Sequence, residues 1–192
     1  MGRTMKTAAA ALSTLSALLL AVGVPATAAA QVIVGGKGNA ADCYSHARTG
    51  NQGSSGALRV CSDALLDGLS RRDEASTHVN RGILYMRRGD HARAVEDYEA
   101  AIALRPNLSE SYINYGAALF YMERDAEALE ALNRALALDT DREPEALYNR
   151  ALVHDRAGDY KSAYRDLTRA LELKPGWEPA ERVRSRYQVR SR

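Results

Sequence analysis

The sequence carries none of the short motifs that announce most enzymes. It has no glycine-rich phosphate loop, no dinucleotide fingerprint and no G-x-S-x-G turn. Its four histidines, His46, His78, His91 and His154, form no H-E-x-x-H or other close ligand pair. Carboxylates are plentiful, but nothing in their spacing sets two apart as an acid and a base. The chain therefore reads as a protein without catalytic turnover, cofactor or metal site.

Cysteine is almost missing. Cys43 and Cys61 are the only two, with 17 residues between them. The spacing is not C-x-x-C and no histidine cluster accompanies it, which argues against redox catalysis and metal binding. In an oxidising compartment such a pair is most simply a structural disulfide, contributing about 3 kcal/mol by chain-entropy reasoning.

An excess of charge is missing as well, once the N-terminus is set aside. The chain holds 26 Lys plus Arg against 24 Asp plus Glu, and two of the basic residues, Arg3 and Lys6, fall in residues 1–30, which hold no acid. The remaining 24 basic and 24 acidic residues cancel. A neutral chain has no global electrostatic reason to seek nucleic acid or an anionic membrane, since such binding needs concentrated positive charge.

Residues 1–30 read as a secretory signal peptide. After MGRTMK, Thr7 to Val24 runs 18 residues without a charge, followed by Pro25 and the small-residue run ATAAA. The cut falls after Ala30 or Ala28. An uncleaved anchor is the alternative, at the lower limit of length for a bilayer span. No cysteine follows the cut, which argues against a lipid anchor. The expected location is periplasmic or secreted, with no stable membrane insertion after cleavage, and residues 31–40 read as a flexible linker.

What the rest of the chain does have is a period. NRGILYMRRGD at 80–90 returns as NRALVHDRAGD at 149–159, and NYGAALFYMERD begins at Asn114, about halfway between. Behind each copy comes an apolar stretch with matching small residues: Ala94 and Ala101, Ala128 and Ala135, Ala163 and Ala170. Tyr98, Leu132 and Leu167 supply the large partners. Two antiparallel helices per unit explain the pattern, because close approach needs small residues on both sides. Gly82, Gly116 and Ala151 are those residues on the first helix, and Ala94, Ala128 and Ala163 on the second. Gly89 and Gly158 stand at the turn, while Pro106 and Pro175 end the second helix.

A 34-residue helix-turn-helix unit with this small and large pattern resembles the tetratricopeptide repeat family. The resemblance covers 75–177 as three units, 75–108, 109–142 and 144–177. It implies an all-α fold, a right-handed superhelical stack of antiparallel helix pairs. Arg81 and Arg150 depart from the family's Leu, His78 and Leu147 from its frequent Trp, and Glu123 with Arg124 from its Gly-Asp turn; each departure is expected to weaken a local packing contact. Upstream, GALRVCSDALLDGL repeats the second-helix pattern, so 41–74 reads as a degenerate helical pair tied by the disulfide. Downstream, 178–192 reads as a basic capping helix, with Arg182, Arg184, Arg186, Arg190 and Arg192 against Glu178 and Glu181.

The resemblance further implies a scaffold that binds a peptide or a partner's helix in the concave groove lined by the first helices. The positions read as exposed there are Val79, Asn80 and Ile83; Ile113, Asn114 and Ala117; Tyr148, Asn149 and Leu152. Phe120 and Tyr121 extend the surface in the middle unit. An Asn in every unit can pair with the backbone of an extended peptide, since its amide both donates and accepts; the same Asn can also serve local helix packing. Family members that clamp a peptide carboxylate use cations across three units. Here those places hold Val79, Ile83, Asn114, Glu145 and Asn149, without a cation, so that mode is set aside. The alternative to the groove is a structural subunit of an envelope or secretion assembly, held by the convex face or the basic C-terminus. Arg88-Gly89-Asp90 reads as a turn between helices and not as an adhesion ligand, since the arginine does not recur in the other units.

Overall fold

The computed structural model describes residues 38–49, 54–138 and 140–187. The expected signal peptide at 1–30, most of the linker and the last five residues lie outside them. Among the described residues there are nine α-helices and no strand: α1 (Asn39–Thr49), α2 (Ser55–Ala64), α3 (Arg71–Arg88), α4 (His91–Leu104), α5 (Ser109–Tyr121), α6 (Asp125–Ala137), α7 (Glu143–Arg156), α8 (Tyr160–Leu173) and α9 (Glu178–Arg184). No helix among these residues is long and apolar enough to cross a membrane. The fold is a solenoid of helix pairs: α3 packs on α4, α5 on α6 and α7 on α8, with α4 against α5 and α6 against α7 joining successive pairs.

Local chemistry sets the helix ends. The Ser70 hydroxyl accepts from the Asp73 amide at 3.2 Å and donates to the Asp73 carboxylate at 2.8 Å, a reciprocal cap that starts α3 four residues before the first repeat position. Asp90 and Asp159 cap α4 and α8 by accepting from Arg93 and Ser162 amides. Arg105 and Lys174 are extended (φ −139° and −135°) because each precedes a proline, which excludes the helical conformation.

All three turns inside the pairs share one hydrogen-bond pattern. The Gly89 amide donates to Met86 O and the Asp90 amide to Tyr85 O; Gly158 and Asp159 repeat this with Asp155 and His154, and Glu123 and Arg124 with Phe120 and Leu119. The pattern needs a left-handed residue at its centre. Gly89 (φ 77°) and Gly158 (φ 78°) take it freely, whereas Glu123 (φ 60°) is the only non-glycine with positive φ among the described residues. The Arg-Gly-Asp tripeptide is thus a helix-to-helix turn whose aspartate is occupied as a cap.

Close approach is real at the small positions. A Cβ at Gly82 would lie 2.5 Å from the Tyr98 ring and one at Gly116 2.6 Å from Leu132 Cγ. The arginines that depart from the family pattern do not loosen the stack. Arg81 donates to both oxygens of the buried Asp97 at 2.9 and 2.7 Å and to Ser62 Oγ at 3.0 Å, while His78 Nδ1 meets the same carboxylate at 2.8 Å. Arg150 repeats the arrangement with Asp166 at 2.7 and 2.9 Å and Asn133 at 2.7 Å. A two-pronged guanidinium bond replaces an apolar contact, and it reaches the preceding unit too.

The ends are closed differently. A disulfide joins Cys43 on α1 to Cys61 on α2, and both helices pack on α3. Helix α1 buries only Ala40, Cys43 and Ala47. At the other end α9 lays Ala180 and Val183 on the last pair, behind Trp177. It covers seven residues, shorter than the helix expected over 178–192. Ser185 Oγ donates back to Arg182 O, and the Tyr187 hydroxyl is drawn to Asp155 at 2.6 Å, turning the chain onto α7.

Candidate functional site

Helices α3, α5 and α7 are the first helices of the three pairs and contact one another in sequence. Asn80, Asn114 and Asn149 occupy equivalent positions on them, so the structure brings the expected row together on one side of the stack. It does not leave that row open. Val79, Asn80, Ile83, Ile113, Asn114, Ala117, Tyr148, Asn149 and Leu152 are all buried, none more than 7% exposed. This corrects the expectation that they face solvent.

The reason lies in their neighbours. Val79 and Ile83 share a core with Ala47 of α1, Ala118 and Leu119. Ile113 packs with Ala135 and Ala146, and Tyr148 lies against Trp177 with ring centroids 5.0 Å apart. The apolar stripe is present as read, but α1 and α9 cover its two ends.

Phe120 and Tyr121 are half-buried, at the C-terminal end of α5. Their rings meet edge to face at 5.7 Å. The Arg156 guanidinium sits 3.8 Å over the Phe120 ring and is held there by Asp125, which accepts from its Nε at 3.0 Å. His91 stacks on Tyr121 at 4.9 Å, and its burial lowers the imidazole below its ordinary value, favouring the neutral ring. Arg156 was within reach of sequence reasoning, one turn beyond Leu152. His91 was not, because it meets Tyr121 across two units with no local signal.

Beside His91 Nδ1 in this patch, two polar atoms of the adjoining α7, Asn149 Oδ1 and the Tyr148 hydroxyl, are buried without a hydrogen-bond partner among the described residues. Burial pushes the Tyr148 phenol up to about 12, with Tyr121 nearby adding to the rise. Glu145, at one of the places where a carboxylate clamp would need a cation, is itself held by Lys174 at 3.0 Å. Among the described residues no group of three or more His, Cys, Asp or Glu is placed to hold a metal ion. What the site offers is aromatic surface, one guanidinium and unsatisfied amide and phenol groups, which suits recognition of a polypeptide.

Comparison with known proteins agrees with the fold. Two family models described as tetratricopeptide repeats match residues 73–141 and 144–177. The lipoprotein NlpI homolog of Haemophilus influenzae is 33% identical over 110 residues, 57% of this chain and 34% of that protein. The chain spans between 8% and 38% of the length of the curated relatives it matches. Among solved structures, the crystal structure of MamA superposes with a TM-score of 0.61 at 26% identity, covering 74% of this chain and 80% of that one. The first TPR of Spaghetti (RPAP3) bound to an HSP90 peptide superposes at 0.55 with 24% identity, covering 58% and 88%. With three helix pairs of one register, the same small and large positions in each, and both models matched in succession, the chain belongs to the tetratricopeptide repeat family.

Proposed function

We propose that the protein is a non-catalytic scaffold of the cell envelope that binds a peptide or a partner's helix along the face formed by α3, α5 and α7. The observation that carries this reading is the half-buried Phe120 and Tyr121 pair at the end of α5, with Phe120 packed on the core that holds Tyr148, together with Asn149 Oδ1 and the Tyr148 hydroxyl on α7, two buried polar atoms without partners among the described residues. An unpaired buried acceptor is costly and a ligand N–H relieves it, while the aromatic pair supplies apolar area. Peptide capture by a protein of the same fold supports the mode. Asn80 and Asn114 would extend the contact toward the first unit, where the cover by α1 has to give way. The envelope location rests on the expected signal peptide at 1–30 and on the disulfide.

The test is affinity capture from an envelope extract with residues 31–192, followed by titration of the captured partner. Asn149→Ala and the pair Phe120→Ala/Tyr121→Ala are expected to weaken that partner at least tenfold with helicity retained. Unchanged affinity in both variants would place the contact elsewhere, such as the convex face or the C-terminus.

A further inference from the structure

The middle unit breaks a polar pattern that its two neighbours share. In the outer units an arginine lies with its side chain about four-fifths covered, locked to an aspartate of the second helix and to the preceding unit. Helix α5 has Tyr115 where Arg81 and Arg150 stand, and α6 has Ala131 where Asp97 and Asp166 stand. The Tyr115 hydroxyl donates to Glu99 at 2.9 Å, and Glu99 is the counterpart of Asn133.

The tyrosine does not fill the place. A cavity of about 650 Å³ opens there, floored by Tyr112, Tyr115 and Ala131 and rimmed by Glu127, Glu130 and Arg134. Both phenol hydroxyls are engaged, Tyr112 with Pro106 O at 3.1 Å, so what the tyrosines turn to a guest is ring surface. Glu127 is held by Arg124, whereas Glu130 has no ion pair among the described residues. At roughly 100° per residue the cavity lies on the opposite side of α5 from Ile113, Asn114 and Ala117, so it is independent of the peptide-binding face.

We propose that this cavity is a docking site for a cationic side chain of a partner protein, arginine before lysine, seated where the flanking units seat their own Arg81 and Arg150. A guanidinium is planar, weakly hydrated and able to stack on a tyrosine face while bonding a carboxylate, which matches two tyrosines beside Glu130, with Glu127 on the same rim. An ammonium would use the same carboxylates with less gain from the rings. Arg134 is the cation on the rim and competes with the guest, so its removal strengthens docking.

The experiment titrates acetyl-Gly-Arg-Gly-amide, and the Lys and Glu analogues, into the protein while NMR follows the ring signals of Tyr112 and Tyr115. The arginine peptide is expected to give saturable shifts at both rings, the lysine peptide weaker ones and the glutamate peptide none. Glu130→Gln should weaken the arginine peptide roughly two- to fivefold, the size of one exposed charge contact. The double variant Tyr115→Arg/Ala131→Asp installs the pair that the outer units already accommodate and should abolish the response at Tyr112 with helicity intact. Equal shifts with the glutamate peptide overturn the proposal. So does an arginine response that survives both Glu130→Gln and the double variant.

Discussion

Replacing Glu123 by glycine should stabilise the protein. Glu123 sits at φ 60° in a turn whose counterparts are Gly89 and Gly158, and the surrounding hydrogen bonds are the same in all three. A left-handed conformation costs an L-residue roughly 1–2 kcal/mol, because Cβ crowds the following carbonyl oxygen. Glycine escapes that cost but loses about 0.5–1 kcal/mol more backbone entropy on folding. The net gain is therefore about 0.5–1 kcal/mol, or a rise of roughly 1–4 °C in melting temperature for a domain of this size. The side chain is exposed and makes no ion pair among the described residues, so its loss should cost little. Urea unfolding followed by circular dichroism measures the difference, with Glu123→Ala as the control. Alanine keeps the Cβ and should give no gain. If alanine stabilises as much as glycine, the strain account is wrong and the glutamate side chain itself is at fault; if glycine gives nothing, the turn is not strained.

Gly116→Ala should cost about 1–3 kcal/mol, since its Cβ would lie 2.6 Å from Leu132 Cγ in a packed core, and an unchanged urea midpoint would deny the close approach. Tyr148→Phe should raise stability by about 1 kcal/mol, because it removes a buried hydroxyl that has no partner, and a lower midpoint would mean the hydroxyl is bonded after all. The same phenol titrates near 12 when folded against about 10 when unfolded, so stability is untouched below pH 10 and falls as pH rises from 10 to 12. In Tyr148→Phe that alkaline loss should be shallower. Cys43→Ser/Cys61→Ser should strip hydrogen-exchange protection from α1 while α5 to α8 keep theirs, since α1 buries only two alanines besides its cysteine; a protected α1 would show that packing holds it without the bridge.

The repeat and its helix pairs were legible because they rest on periodicity and small residues. Gly82 and Gly116 speak for close approach wherever they occur, and Asp90 and Asp159 start helices by local bonds. With only two cysteines, the pairing of Cys43 and Cys61 had no competitor. The Ser70 and Asp73 cap could have been read from S-R-R-D and places the start of α3 at Arg71. The shared turn geometry was hidden at Glu123, because nothing local says that a glutamate will be forced into the left-handed region; the helices on either side decide it.

Sequence alone therefore determined the units, their order and the family, since each follows from contacts within about one period of the chain. Tertiary structure decided which faces are open. Val79 and Tyr148 carry the same apolar signal whether or not α1 and Trp177 cover them, and that cover depends on how the chain ends pack. It also decided that Arg81 and Arg150 are locked by carboxylates 16 residues away, and that Tyr115 and Ala131 together leave a cavity. A residue's type sets what it can bind, but only the neighbours brought by the fold decide whether that capacity is already spent.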